Sequence, residues 1–224
     1  TDQADQRGGL DQHQPVVADA RQGMAQHLWK QHFAKALGAA HAVGPGRFLL
    51  AALRLPADAS YAFVTGCQMA HTTALAAARH AVLKQKGWDV ESQGLQGAPA
   101  IRVLANAHHH SSVTRALRLL GLGSDCIVPL GGGGPGLVAP EALRAALAEA
   151  PDAPTILILN AGDLNIGACD DFATLCPIAY AAGAWVHVDG AFGLWANASP
   201  RLSALVSGVE RADSCASVGE KLQR

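Results

Sequence analysis

The sequence predicts an α/β fold, a three-layer, mostly parallel sheet flanked by helices. Two observations carry that expectation. From residue 100 onward, short apolar strand-like stretches alternate with helical patterns, and parallel neighbours need such crossovers, which are right-handed. The stretch "TILILN" (155–160) is apolar on both of its alternating faces, as a strand covered on both sides must be.

The elements follow in order. Residues 1–19 read as a polar leader, and 20–44 carries apolar residues at helical spacing, notably Met24, Leu28, Phe33 and Leu37. "GPG" (44–46) reads as a turn and "SYAFVT" (60–65) as a short buried strand. A helix over 68–87 closes on Gly87, and 87–99 is a loop. "AIRVLA" (100–105) is a strand, and 111–123 a helix with a serine cap and a glycine stop. "DCIVPL" (125–130) is a strand and "GGGGPG" a connection. Pro140 opens a helix over 139–150. After 155–160, a helix spans 170–183 despite Pro177, and strands follow at 184–189 and 212–217.

Composition narrows the function. Half of the 224 residues are hydrophobic and 16% are charged, enough to bury a core. A net charge of −1 gives no electrostatic case for nucleic acid or an anionic membrane. No apolar run approaches the roughly 20 residues of a membrane span, and the polar start has no signal-peptide core. Cysteines 67, 126, 169, 176 and 215 include no CxxC pair; the expectation is reduced thiols and a cytoplasmic location.

In parallel sheets, ligands sit beyond the carboxyl ends of the strands. Strand 60–65 runs into "TGCQMA", a glycine turn opening a helix whose free amides suit a phosphate. Strand 100–105 is followed by "NAHHHSSV". Three successive histidines cannot converge on one point, so no metal is expected from that run; they are either capping and surface groups or supply one flat imidazole to a planar ligand. Strand 184–189 ends in "HVDGAFG", where Asp189 is a turn residue or a carboxylate facing a cation, with Gly190 and Ala191 leaving room. Beyond 212–217 comes Lys221. A phosphate turn, a flat stacker, a carboxylate and a lysine together are the parts that hold pyridoxal phosphate, whose aldehyde forms a Schiff base with the lysine.

With these residues in view, the chain resembles the fold-type I pyridoxal-phosphate enzymes, most closely the group II amino-acid decarboxylases, over roughly 45–222. The likeness is carried by "FVTGCQMAHTTALAAAR", "AHHHSSVTRALRLLGLG", "NAGDLNIGACDDF", "WVHVDGAFG" and "GVERADSCASVGEKLQ". It implies that Gly66, Cys67 and Gln68 surround the cofactor phosphate through backbone amides and that His110 stacks on the ring. Asp189 pairs with the pyridinium nitrogen, Ala191 packs beneath the ring, and Lys221 forms the Schiff base. It further implies an amino-acid substrate and a homodimer. It divides the chain into a leader and helix (1–44) and a cofactor-binding large domain (45–224), incomplete and without the C-terminal small domain.

The chain also departs from the family pattern. Glu220 stands where histidine precedes the lysine, Val218 where a polar residue holds phosphate, and Gln68 and Met69 where a small hydroxyl residue and glutamate are usual. Asp163 and Leu164 replace a threonine pair, putting negative charge near an anionic ligand. Alternatives are an aminotransferase or other carbon–carbon lyase, a relative without activity, and a metal-dependent hydrolase using His108, His110, His187 and Asp189.

Overall fold

The computed structural model describes residues 44–218. The expected leader and helix of 1–44 lie outside these, apart from Gly44, as does Lys221.

The sheet expectation holds. β1 (Arg102–Asn106), β2 (Ile127–Leu130), β3 (Thr155–Asn160), β4 (Trp185–Asp189) and β5 (Ser214–Ala216) form one parallel sheet in the order β2-β1-β3-β4-β5. Asn160 pairs with Asp189, and Asp189 with Ala216, so three strands end level. Pro129, which cannot donate to a ladder, lies in β2 at the edge of this sheet, where its missing N–H is tolerated.

Strand side chains alternate, and each set buries against its own helices. Val103, Ala105, Ile156 and Ile158 pack on α2 (Cys67–Lys84) and α4 (Ser111–Leu119) through Leu75, Ala78, Val82, Val113 and Leu117. Leu104, Leu157, Leu159, Val186 and Val188 pack on α5 (Pro140–Glu149) and α6 (Phe172–Ala181) through Leu143, Leu147, Phe172 and Leu175. α4 follows β1 on one face while α5 and α6 lie on the other, so the winding reverses at the β1/β3 boundary. Such a reversal opens a crevice at the strand ends.

Three local expectations need correction. "GPG" is not a turn but the start of helix α1 (Pro45–Ala52), with Pro45 in the first helical turn, where its missing N–H costs nothing. The loop 87–99 contains a single-turn helix, α3 (Val90–Gln93), because the Asp89 carboxylate accepts from the Glu91 amide. Residues 60–65 are not a buried strand: they have no ladder partner among the described residues, and Tyr61 and Phe63 are exposed. An extended segment without a neighbour satisfies its backbone with water instead.

Candidate functional site

The α2 N-terminus is the natural anion seat. Gly66 holds φ 114°, which side chains rarely adopt, and a Cβ there would meet open space. Among the described residues no side chain caps this 18-residue helix, whose N-cap is a glycine, so its first amides are open to a ligand. The side-chain amide of Gln68 does not face that seat: it donates to the Ser112 carbonyl at 3.2 Å and ties α2 to α4.

His110 is the N-cap of α4. Its Nδ1 accepts from the Ser112 amide at 3.3 Å and pairs with the Ser112 hydroxyl at 2.8 Å, which fixes the ring plane. Capping and presentation of a flat face are thus compatible at this one residue. His108 lies 3.5 Å from the Asp163 carboxylate, and the other Asp163 oxygen accepts the Asn165 and Ile166 amides. Asp163 is therefore turned into its own loop and a histidine.

Asp189 ends β4 with only 10% of its side chain exposed. One oxygen accepts the Ala191 amide at 3.2 Å, and the other lies 3.3 Å from His71 Nε2. Gly190 does not leave room for a ligand: its missing Cβ makes way for Leu194, 2.7 Å from where that atom would stand. Ala191 in turn accepts from the Val218 amide at 3.1 Å, and Trp195 Nε1 donates to the Val218 carbonyl, so the chain beyond β5 is pinned beside the site.

His71 is fully buried. Its Nδ1 lies 2.9 Å from His187 Nε2, and His187 Nδ1 lies 2.9 Å from the Ser214 hydroxyl, which also receives Trp185 Nε1–H. Burial disfavours the imidazolium, yet the adjoining Asp189 and Cys67 outweigh it and lift His71 to about 9. Burial, with the His71 charge beside it, pushes His187 down to about 3. Burial alone would raise Asp189, but His71 and the Ala191 amide hold it below the usual carboxylate range.

Cys67, His71 and Asp189 bring donor atoms within 4.8 Å of one another, the one such group among the described residues. The expected hydrolase set of His108, His110, His187 and Asp189 does not converge: His187 turns to His71 and Ser214, His110 caps a helix, and His108 faces Asp163.

Comparison with known proteins places the chain in a family. The pyridoxal-dependent decarboxylase conserved domain matches residues 52–223. The chain belongs to that family. It is 33% identical over 170 residues to an aromatic-L-amino-acid decarboxylase of Bacillus atrophaeus, covering 75% of this chain and 33% of that one. It is 31% identical over 142 residues to an L-2,4-diaminobutyrate decarboxylase of Rhizobium meliloti, covering 62% of this chain and 26% of the relative. Among solved structures, mouse CSAD superposes with TM-score 0.69 at 25% identity, over 84% of this chain and 37% of that one. An Oryza sativa TDC holding PLP and tryptamine gives 0.67 at 25%, over 87% and 39%. The chain spans between a quarter and a third of the length of these curated relatives.

Within this decarboxylase domain, two groups escaped sequence reasoning. His71 sits at helical spacing with Leu75, Ala78 and Val82, so the periodicity of α2 already assigned it to the sheet-facing side. The second group is Asn106 with Asp170, both buried. Asp170 accepts the Asn160 and Val138 amides at 2.8 and 2.9 Å and the Asn106 side chain at 3.0 Å. Asn106 also donates to the Gly136 carbonyl and accepts the His108 amide. This clasp fixes the ends of β1 and β3 and the loops that flank His110; its signal was a single asparagine closing each strand.

Proposed function

We propose that this chain is the cofactor-binding part of a pyridoxal-phosphate-dependent amino-acid decarboxylase, a carboxy-lyase. The observation that carries the reading is Asp189: a nearly buried carboxylate at a strand end, held ionised, beside an uncapped helix N-terminus.

The residues present fit the cofactor. The amides of Cys67 and Gln68, with Gly66 giving clearance, would take the phosphate. Asp189 would hold a proton on the pyridine nitrogen, His110 would lie against one ring face, and Ala191 would pack near the other. Lys221 would supply the amine for the Schiff base. Lys221 is three residues past Val218, whose amide is bonded to Ala191, and three residues span at most about 10 Å. When bound, the protonated pyridine accepts the electron pair released as the substrate carboxyl group leaves as carbon dioxide. The chain's own part is to orient that bond, keep the nitrogen protonated and return a proton to the carbon.

Residues 45–224 would form the large domain, with 1–44 a separate leading segment. Self-association as a homodimer is part of the same proposal. Among the described residues no helix is long and apolar enough to cross a membrane; the proposed cytoplasmic location rests instead on cysteines that are free of disulfides among the described residues.

The test is spectroscopic. Mixed with pyridoxal phosphate, the chain should gain a visible absorbance band that borohydride abolishes, and Lys221→Ala should lack it. A band that persists in Lys221→Ala, or none in the unaltered chain, overturns the assignment.

A further inference from the structure

We propose that His71 is a positioning residue for Asp189, holding that carboxylate ionised and turned toward the seat of the ring nitrogen. The inference rests on the assignment of Asp189 to the pyridine ring and deepens it.

Geometry comes first. Asp189 has two oxygens and three directions to satisfy. One oxygen receives the Ala191 amide, the other faces His71 Nε2 at 3.3 Å, and a 10% opening of the side chain leads outward. His71, fully buried on α2, lies against the second oxygen from the interior.

The proton pattern then fixes what His71 offers. Hydrogens along Ser214, His187 and His71 can run in either direction, since each ring nitrogen can donate or accept. If His187 donates to His71 Nδ1, the His71 proton sits on Nε2. If His71 donates to His187, its Nδ1 carries a proton and the adjoining carboxylate favours a second on Nε2. Both arrangements leave a proton on Nε2, which lies 3.3 Å from the Asp189 oxygen as an ion-pair contact. A buried carboxylate without a compensating partner takes up a proton instead of remaining charged; protonated, it could no longer hold the proton on a pyridine nitrogen. His71 removes that outcome before any ligand arrives.

Among the described residues, the titratable groups facing His71 are Cys67 on its own helix and His187 and Asp189 on β4. His187 stays neutral beside it and relays its orientation to β5 through Ser214. The chain Ser214, His187, His71, Asp189 thus links the last strand to the carboxylate.

Two measurements on the full 224-residue chain test this. The first needs no cofactor: histidine side-chain NMR titration should show His71 protonated beyond pH 8, with Asp189→Asn lowering its midpoint by more than about one pH unit, a tenfold change in proton affinity. A His71 that titrates at or below the ordinary value, or ignores Asp189→Asn, overturns the inference. The second uses 4′-deoxypyridoxine phosphate, which lacks the aldehyde and so isolates the ring and phosphate contacts from Lys221. Its affinity should drop roughly tenfold or more in His71→Gln; in the unaltered chain binding should weaken as pH rises through about 9, and in His71→Gln that dependence should be absent. Equal affinity and an unchanged pH profile in His71→Gln overturn the inference while leaving the cofactor assignment standing. No binding by the unaltered chain, with His71 titrating as expected, overturns the cofactor assignment and removes the ligand-directed half of this inference with it. If His71→Gln fails to fold, the titration of the unaltered chain decides alone.

Discussion

Asp170 and Asp189 are both buried at the carboxyl ends of the sheet, yet their surroundings set them to opposite tasks. Burial raises Asp170 above the usual carboxylate range despite three donors, and among the described residues no cation pairs with it; its role is to collect amides. Asp189 has an imidazole beside it and is held low. Asp170→Asn should therefore be costly, since its new NH₂ must face either the Val138 or the Asn160 amide. An unpaired buried donor costs about 1–3 kcal/mol, and denaturant unfolding should show a loss in that range. A neutral result would mean the clasp with Asn106 is not holding the loop at Gly136. The sequence announced Asp189 because a charge closing an apolar strand is expensive. Asp170 stayed silent because an aspartate just before a helix reads as a cap, and only the fold brings Asn106 and Val138 to it.

At the scale of elements, legibility followed burial. "TILILN" became β3 without a residue's difference, since every position is buried and no local alternative competes. The strands at 184–189 and 100–105 shifted by a residue or two at their ends, where ladders fray. The stretch 60–65 failed because β-propensity describes fitness for a pleated neighbour, and among the described residues it has none. Close packing of elements was least legible of all. Gly208 precedes the 3-10 turn 209–211 with φ 90°, and a Cβ there would stand 2.6 Å from the Ala173 nitrogen at the start of α6. Gly167 also has positive φ, 69°, but nothing lies within 4 Å. Alanine at Gly167 should cost about 1–2 kcal/mol for conformation alone, whereas Gly208→Ala should exceed it clearly by displacing α6. Chemical denaturation of the two variants separates the effects, and equal losses would show that the contact at α6 yields freely.

For the whole molecule, the buried histidine pair ties stability to pH from both sides. His71 is raised from 6.5 to about 9 in the fold, so its contribution is complete below pH 6.5 and disappears as pH rises through about 9. His187 is lowered to about 3, so its contribution is complete above pH 6.5 and is lost as pH falls toward 3. On the acid side, Asp170 and Asp213, both raised by burial, act against that loss and blunt it. Among the described residues the alkaline side has no such opposition, because the thiols of half-buried Cys169 and buried Cys176, pushed up to about 11, add to the fall only above their ordinary value of 9. Between pH 6.5 and 9 the slope therefore belongs to His71 and should amount to on the order of 3 kcal/mol. Urea unfolding of the cofactor-free chain across that interval should show the decline, and His71→Gln should flatten it even though that variant begins less stable. A flat profile in the unaltered chain would mean that the His71 imidazole is neutral at pH 7, and that Asp189 keeps its charge by some other contact.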